Sequence, residues 1–302
     1  LLPFTYGNAS QGDAVLSKYN CTNAQYNRAF GDHERGKIDG KIIGALRAQV
    51  ALFAASDAYN STNVVSWQQA AEYAGTILNK IGGVAGMEPN GWTWYCNTSE
   101  IDNMGTGNNT NEIIWRDNID SKYDLESSNY PPVIEGKGRI NPSQNLVDAF
   151  PMANGYPISD SRSGYNASKP YDGRDPRLSA YILYNGQTIG ADNAAVVTGT
   201  YEADNSDGFQ FERGRSTETG YYLRKLLRDD VNLTPGKETD MQHYTVRIRA
   251  TEIFLAYAEA ANEAGGPTAT FGGANFSAKD VIKALRQRAG VGTAYVDECG
   301  TK

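Results

Sequence analysis

The sequence predicts a mainly α protein, with helical hairpins on either side of a large, loop-rich irregular region that holds a few short strands. Two alanine-rich stretches, 37–82 and 243–291, carry apolar residues at the spacing of amphipathic helices. The stretch between them, 83–242, is punctuated by Asn-Gly, Asp-Gly and Gly-Gly turn signals. No alternation of strands and helices appears there, which argues against a parallel sheet. We expect a single domain over 1–302.

The first predicted hairpin, 37–82, follows an irregular lead-in rich in Gly and Asn. Its first helix is expected to use a stripe of large apolar residues, with alanines between them that permit close helix approach: Ile42, Leu46, Val50 and Phe53. The second helix should begin at about Ser66, an N-cap, and end at Gly82-Gly83. Trp67, Ala71 and Tyr73 have the large-small-large spacing of tetratricopeptide helices, in which each hairpin buries its face against a neighbour.

The second predicted hairpin, 243–291, has one helix running from Ile248 to a Gly-Gly-Pro stop and another opening at Ser277. Arg247 and Arg249 flank the first helix start and are expected to be ordinary surface charges. A tetratricopeptide solenoid needs about three repeats for stability. Either further repeats outside this sequence or the middle region must therefore support the two hairpins.

The composition excludes several classes of function. The net charge is −7, and no run of Lys and Arg suggests nucleic acid or an anionic membrane surface. Only 21% of residues are charged, so the surface should suit neutral ligands better than ionic ones. The opening LLPFTYGNAS lacks the features of a signal peptide, and we interpret the chain as a mature or truncated portion.

Catalytic signatures are also missing from the sequence. The chain has two histidines, His33 and His243, which we interpret as solvated or capping residues, and it has no HExxH, GxGxxG or P-loop motif. Only Asp148 and Glu252 lie in apolar surroundings of the kind that raise the pKa of a general acid. We therefore expect no enzyme activity, no metal and no cofactor. The three cysteines, Cys21, Cys96 and Cys299, leave the disulfide state open.

Several motifs occur in the order found in one known family. They are NEIIWR at 111–116, GRINPSQNLVDAFPMANGYPI at 138–158, YDGRDPRLSAYILYNG at 171–186, TGYYLRKLL at 219–227 and the hairpin at 248–291. Together they resemble the SusD-like (SusD/RagB) family, the surface glycan-binding outer-membrane lipoproteins of Bacteroidetes.

The resemblance implies a role as well as a fold. It implies non-catalytic capture of oligosaccharide or polysaccharide on the extracellular face of the outer membrane, and delivery to a SusC-type TonB-dependent transporter. It also implies a lipid anchor outside this sequence, further tetratricopeptide-like units before Leu1 and a C-terminal portion after Lys302. For Asp148, in the motif at 138–158, and for Glu252, in the second hairpin, the resemblance implies structural roles. The alternatives are a carbohydrate-active enzyme, such as a glycoside hydrolase, or a tetratricopeptide-type scaffold for protein or peptide.

Two segments hold the predicted ligand-binding residues. The first follows an Asn-Gly turn and contains Trp92, Trp94 and Tyr95, whose flat rings could stack on the apolar faces of sugars. Equally, one or both tryptophans could plug the core beneath a long loop. The second lies after NEIIWR, in the loop that SusD-like proteins commonly use for the ligand; its candidate residues are Asn118, Asp120, Tyr123 and Tyr130.

Overall fold

The computed structural model describes residues 2–61, 64–105, 107–199, 205–212 and 214–292. The helices are α1 Ala14–Tyr19, α2 Asn23–Phe30, α3 Gly40–Ala55, α4 Trp67–Lys80, α5 Thr98–Asn103, α6 Asp124–Asn129, α7 Gln144–Ala149, α8 Pro176–Tyr181, α9 Ala250–Gly265 and α10 Ala278–Arg288. The strands are β1 Ile113–Arg116, β2 Asp120–Lys122, β3 Ile182–Leu183, β4 Thr188–Ile189, β5 Ala194–Ala195, β6 Tyr222–Leu223, β7 Met241–His243 and β8 Val246–Arg249. The predicted fold class, mainly helical with short strands, is confirmed.

The chain forms two compact units, each built from three segments. Unit 1 contains Leu1–Gly91, Met104–Ile119 and Tyr244–Ile282. Unit 2 contains Trp92–Asn103, Asp120–His243 and Lys283–Lys302. Among the ranges that the structure describes, no helix is long and apolar enough to cross a membrane.

Unit 1 is built on α4, which packs against both α3 and α9. A capping box starts α4: the Ser66 hydroxyl accepts from the Gln69 amide, and the Gln69 side chain accepts from the Ser66 amide. Gly75 lies on the packed face of α4, where an added Cβ would collide with the Phe271 carbonyl oxygen and touch the Tyr257 ring. Because Gly75 has no side chain, α4 can approach both the segment that follows α9 and the Tyr257 ring of α9 closely.

The buried face of α3 differs from the predicted one. The helix packs through its alanines, with Ala45, Ala48 and Ala55 almost fully buried. Of the predicted apolar stripe only Ile42 is buried, whereas the exposed fractions of Leu46, Val50 and Phe53 are 48%, 59% and 65%. Small side chains let the helix backbones approach closely, so the alanine face carries the contact and the large residues face outward.

β1 and β8 pair antiparallel in unit 1, with Ile113 opposite Arg249. The Glu112 side chain, 1% exposed, lies beside this pair, and its Oε1 atom is 2.8 Å from Arg249 Nη2. Glu112 Oε1 also accepts from the Thr251 hydroxyl at 2.6 Å. Arg249 is therefore half of a largely buried ion pair, which corrects its assignment as a surface charge. Arg247 matches its assignment better, since it is 52% exposed and pairs with Asp117.

Unit 2 contains three short antiparallel pairs, β2 with β7, β3 with β6, and β4 with β5. Its main apolar cluster is Tyr130, Leu183, Ile189, Val196, Tyr222, Leu227, Val231 and Leu233. Beside this cluster the buried Arg228 guanidinium pairs with Asp102 at 2.9 Å and with Asp230 at 2.6 Å. These contacts join α5 to the segment before β7 and hold the loop-rich unit together.

His243 lies in the same buried network rather than in solvent. Its Nδ1 atom donates to the Met241 carbonyl at 2.7 Å, and its Nε2 atom lies 2.9 Å from Glu126 Oε1. Burial alone lowers the pKa of His243, but the Glu126 carboxylate and the Met241 carbonyl outweigh it, so the pKa is raised. The expectation of a solvated or capping residue was wrong for His243, because its partner Glu126 lies 117 positions away in the chain.

Candidate functional site

The loop at 92–96, which we call the Trp92 loop, is hydrogen-bonded to α8 in unit 2 through two tyrosine hydroxyls. Tyr181 donates to the Trp92 carbonyl at 2.7 Å, and Tyr95 donates to the Ala180 carbonyl at 2.6 Å. Burial, aided by Cys96 and Tyr181, raises the pKa of Tyr95 far above its ordinary value, so its hydroxyl keeps the proton that it donates. The loop is therefore held at both ends against one helix.

The three aromatic residues of this loop have different environments. Trp94 and Tyr95 are 8% and 5% exposed, and their rings meet edge to face with centroids 5.8 Å apart. Trp92 is half-buried. Of the two alternatives left open by the sequence, the core position describes Trp94, whereas Trp92 is only half-buried.

Trp92 lines a cleft of about 370 Å³, which we call the Trp92 cleft. This volume is within the range of about 300 to 1,000 Å³ typical of small-molecule sites. Its lining residues include Tyr95, Pro176 and Leu227, and the polar ones are Ser179, Gln187, Arg224 and Asp229. The cleft thus combines an aromatic ring with charged and neutral hydrogen-bonding groups.

Arg224 and Asp229 form an ion pair in the wall of the cleft. Arg224 Nη2 lies 2.8 Å from Asp229 Oδ2, and Arg224 Nη1 donates to the Thr188 carbonyl at 3.2 Å. The side chains are 24% and 50% exposed, so the carboxylate remains open to solvent on one side. A hydroxyl-rich ligand could donate to Asp229 and accept from Arg224, since the carboxylate only accepts and the guanidinium only donates.

The candidate residues of the second predicted segment have different environments. Asp120, in β2, is exposed, and Tyr123 is half-buried against the main apolar cluster of unit 2. Tyr130 is 1% exposed, and its hydroxyl donates to the Arg228 carbonyl, so this side chain belongs to the core and is not available to a ligand. Asn118 is exposed and lines a different cleft, in unit 1.

Arg224 and Asp229 were not identified as site residues from the sequence. Arg224 belongs to the motif at 219–227, and Asp229 lies two positions after the end of that motif. The only local signal for a site here is an arginine and an aspartate that follow the Tyr221-Tyr222 pair closely in the sequence. That signal could not show that the segment lies beside the Trp92 loop, which is more than a hundred residues earlier.

Neither acidic residue considered for catalysis lies in an apolar site. Asp148 is exposed and accepts from Gln144 at 2.7 Å, while Glu252 is exposed and accepts from Gln49 at 2.6 Å. Both carboxylates are therefore solvated and serve in local hydrogen bonds, in keeping with their structural interpretation. Within the described ranges, no three His, Cys, Asp or Glu residues are grouped so that they could hold a metal ion. Cys21 and Cys96 are free thiols, and Cys299 lies outside the described residues.

A sequence profile of the SusD family matches residues 86–301, which is more than two thirds of the chain. The chain belongs to the SusD family. The matched region includes the Trp92 cleft and all the strands. No curated protein sequence matches this SusD-family chain at a significant level.

Solved structures of SusD-like proteins have the same fold. A SusD-like protein from Bacteroides fragilis is 25% identical, with a TM-score of 0.59 over 87% of this chain and 49% of its own. A SusD-like carbohydrate binding protein from Bacteroides fragilis is 19% identical, with a TM-score of 0.62 over 87% of this chain and 47% of its own. This chain thus spans about half the length of these proteins.

Proposed function

We propose that this SusD-family protein binds an oligosaccharide or polysaccharide in the Trp92 cleft and releases it uncleaved. The observation that carries the proposal is the half-buried Trp92 indole beside the Arg224–Asp229 pair. A sugar ring has an apolar C–H face and a rim of hydroxyls, so it is complementary to an aromatic face bordered by donors and acceptors. The carbohydrate-binding description of one structural relative agrees with this chemistry.

The arrangement favours binding over hydrolysis. Glycosidases use two carboxyl groups on either side of the scissile bond, about 5 to 9.5 Å apart. Asp229 is the only carboxylate among the described residues that line the Trp92 cleft, and it is paired with Arg224. A second carboxyl group in the required position is therefore missing from that lining.

We further propose that the bound glycan is delivered to a SusC-type TonB-dependent transporter. The protein would act on the extracellular face of the outer membrane, held there by a lipid anchor. Membership of the SusD family supports this part of the proposal. Gentle detergent extraction of the native protein should co-purify a large outer-membrane barrel. Recovery without any barrel, under conditions that preserve such complexes, would argue against it.

Two tryptophan variants test the binding site. Trp92→Ala should weaken glycan binding by about 1 to 3 kcal/mol, by analogy with base stacking on aromatic side chains, and should leave the melting temperature almost unchanged. Trp94→Ala, the matched control, should instead cost about 3 to 5 kcal/mol of unfolding free energy because it empties a core position. Affinity electrophoresis against plant, host and microbial polysaccharides would identify the glycan class first. Unaltered affinity in Trp92→Ala would remove this cleft from the proposal.

Chromatography tests the absence of cleavage. After prolonged incubation with the retarded glycan, the chain-length distribution should be unchanged. Shortening that requires the protein and disappears in Asp229→Asn would show a hydrolase instead.

A further inference from the structure

A second cleft, of about 290 Å³, lies within unit 1. It is bounded by Tyr6 in the N-terminal segment, by the loop before α3, by the first turn of α3 and by the end of β1. Because Lys41 projects from that first turn, we call it the Lys41 cleft. Its cationic lining residues are Arg35, Lys37, Lys41 and Arg116, and its acidic ones are Asp39 and Asp117.

Most of the charges around this cleft are neutralised by ion pairs. Arg35 lies 2.7 Å from the Asp32 carboxylate. Lys37 lies 2.7 Å from the Glu34 carboxylate. The acidic lining residue Asp117 is matched in the same way, by Arg247 at 2.7 Å. These pairs contribute little net charge to the cleft.

Arg116 is held differently. Its Nε atom donates to Asn109 Oδ1 at 2.8 Å, and its terminal nitrogens donate to the carbonyls of Gly105, Asn108 and Asp117 at 3.0 to 3.2 Å. All of these acceptors are neutral oxygens, so the guanidinium is fixed in place without a carboxylate among these bonds. Burial lowers the pKa of Arg116, as expected for a desolvated cation.

Lys41 is the second cation of this cleft that no carboxylate neutralises in an ion pair. Its side chain is half-buried, and its ammonium has no ion-pair partner within the part of the chain that the structure describes. Burial lowers the pKa of Lys41, and Asp39 opposes that effect only in part. Asp39 itself is 8% exposed and caps α3 by accepting from the Ile42 amide at 2.9 Å. Burial raises the pKa of Asp39, because the ionised carboxylate is poorly solvated there.

Aromatic and amide groups lie beside the two cations. Tyr6 and Trp115 are half-buried in the lining, and the Tyr6 hydroxyl is fixed by donating to the Ile38 carbonyl at 3.0 Å. Asn108 and Asn118 are exposed there and can donate to or accept from hydroxyls. The neighbourhood therefore suits a sugar ring as well as a negative charge.

We propose that the Lys41 cleft binds an acidic sugar, with a singly charged anionic group on the Lys41 ammonium and the field of Arg116 reinforcing it. The ligand class is a saccharide bearing a uronate carboxylate or a sulfate ester. The weakly charged composition of the whole chain favours neutral ligands on average, but the local charge of this cleft does not follow that average. The Lys41 cleft is lined by residues of unit 1 and the Trp92 cleft by residues of unit 2, with no residue in common, so either proposal can fail alone.

The test is calorimetric titration of the whole protein with short oligogalacturonate and with its methyl ester, at about 20 mM and about 150 mM salt. A sulfated galactan and its desulfated form make a second arm, which distinguishes sulfate from carboxylate. We expect binding of at least one acidic form, with weaker binding of its neutral counterpart and weaker binding at the higher salt concentration. Equal binding of acidic and neutral forms, or binding of neither acidic form, would overturn the inference.

Variants then locate the effect. Lys41→Met keeps the aliphatic stem and should lower affinity for the acidic form about tenfold or more, because a hydrogen bond to a charged group is lost. Lys41→Arg should retain most of the affinity. Lys37→Met removes a cation of the same cleft that Glu34 already neutralises, and it should change little.

Trp92→Ala should leave acidic-sugar binding at the Lys41 cleft intact, whether or not the Trp92 cleft binds glycan. If Lys41→Met has the affinity of the parent protein, or loses no more than Lys37→Met, the Lys41 cleft is not the site. Melting temperatures close to that of the parent would show that each variant is folded.

Discussion

Removal of the Glu112 carboxylate should destabilise unit 1 far more than removal of the Asp117 carboxylate. Both groups pair with an arginine of β8 at nearly the same distance, 2.8 Å for Glu112 with Arg249 and 2.7 Å for Asp117 with Arg247. The pairs differ in burial. Glu112 and Arg249 are 1% and 22% exposed, whereas Asp117 and Arg247 are 44% and 52% exposed. The comparison therefore isolates the effect of solvent on an arginine–carboxylate pair.

The expected magnitudes follow from that difference. Removing one partner of a buried pair typically costs about 3 to 5 kcal/mol, because the other charge stays desolvated. Glu112→Ala would leave the Arg249 guanidinium without its carboxylate and the Thr251 hydroxyl without its acceptor at 2.6 Å. Asp117→Ala should cost only about 0.2 to 1 kcal/mol, since an exposed pair exchanges one partner for water.

Urea denaturation is the suitable assay because it leaves the ionic strength unchanged. Tryptophan fluorescence would follow global unfolding, and hydrogen exchange of the α9 amides would report on unit 1 even if the two units unfold separately. The double variant Glu112→Gln with Arg249→Met should recover part of the loss, since neither buried charge remains. A Glu112→Ala cost no larger than that of Asp117→Ala would refute the buried-pair reasoning.

Three further variants test other buried features. Burial raises the pKa of Asp207 from 3.8 to about 6, so the folded state loses stability as pH rises through that window, by about 3 kcal/mol in total. Asp207→Asn should therefore flatten the dependence of the unfolding free energy on pH between about pH 4 and 6. The pKa of His243 is also raised, so its stabilising contribution to the unfolding free energy is present below about pH 6.5 and is lost as pH rises through the folded pKa. His243→Ala should abolish that loss of stability, whereas His33→Ala, which changes an exposed histidine, should retain it. Gly75→Ala should lower the melting temperature despite the better helix propensity of alanine, because its Cβ meets the Phe271 carbonyl; an increase would contradict that contact.

Local signals predicted the four helices of the two hairpins, but not the six shorter helices that the structure describes in the lead-in and the middle region. For α4 the Ser66 cap, the apolar periodicity and the Gly82 stop all lie within one short stretch, and the observed helix is Trp67–Lys80. For α9 the apolar pattern extends back to Ile248, yet the helix begins at Ala250. The preceding residues pair with β1 instead, and nothing near Ile248 in the sequence indicates a strand partner more than a hundred positions away.

By itself, the sequence determined the mainly helical class, the ordered motifs that identify the family, and the aromatic loop at residues 92–95. Only the tertiary structure decided which side chains of these elements are available. It buried Trp94 and Tyr130, turned Phe53 outward and set Arg224 beside the Trp92 loop. Periodicity and capping act over a few residues and can be read locally. Burial and charge pairing depend on partners brought together by folding, so identical residue types a few positions apart reach opposite environments.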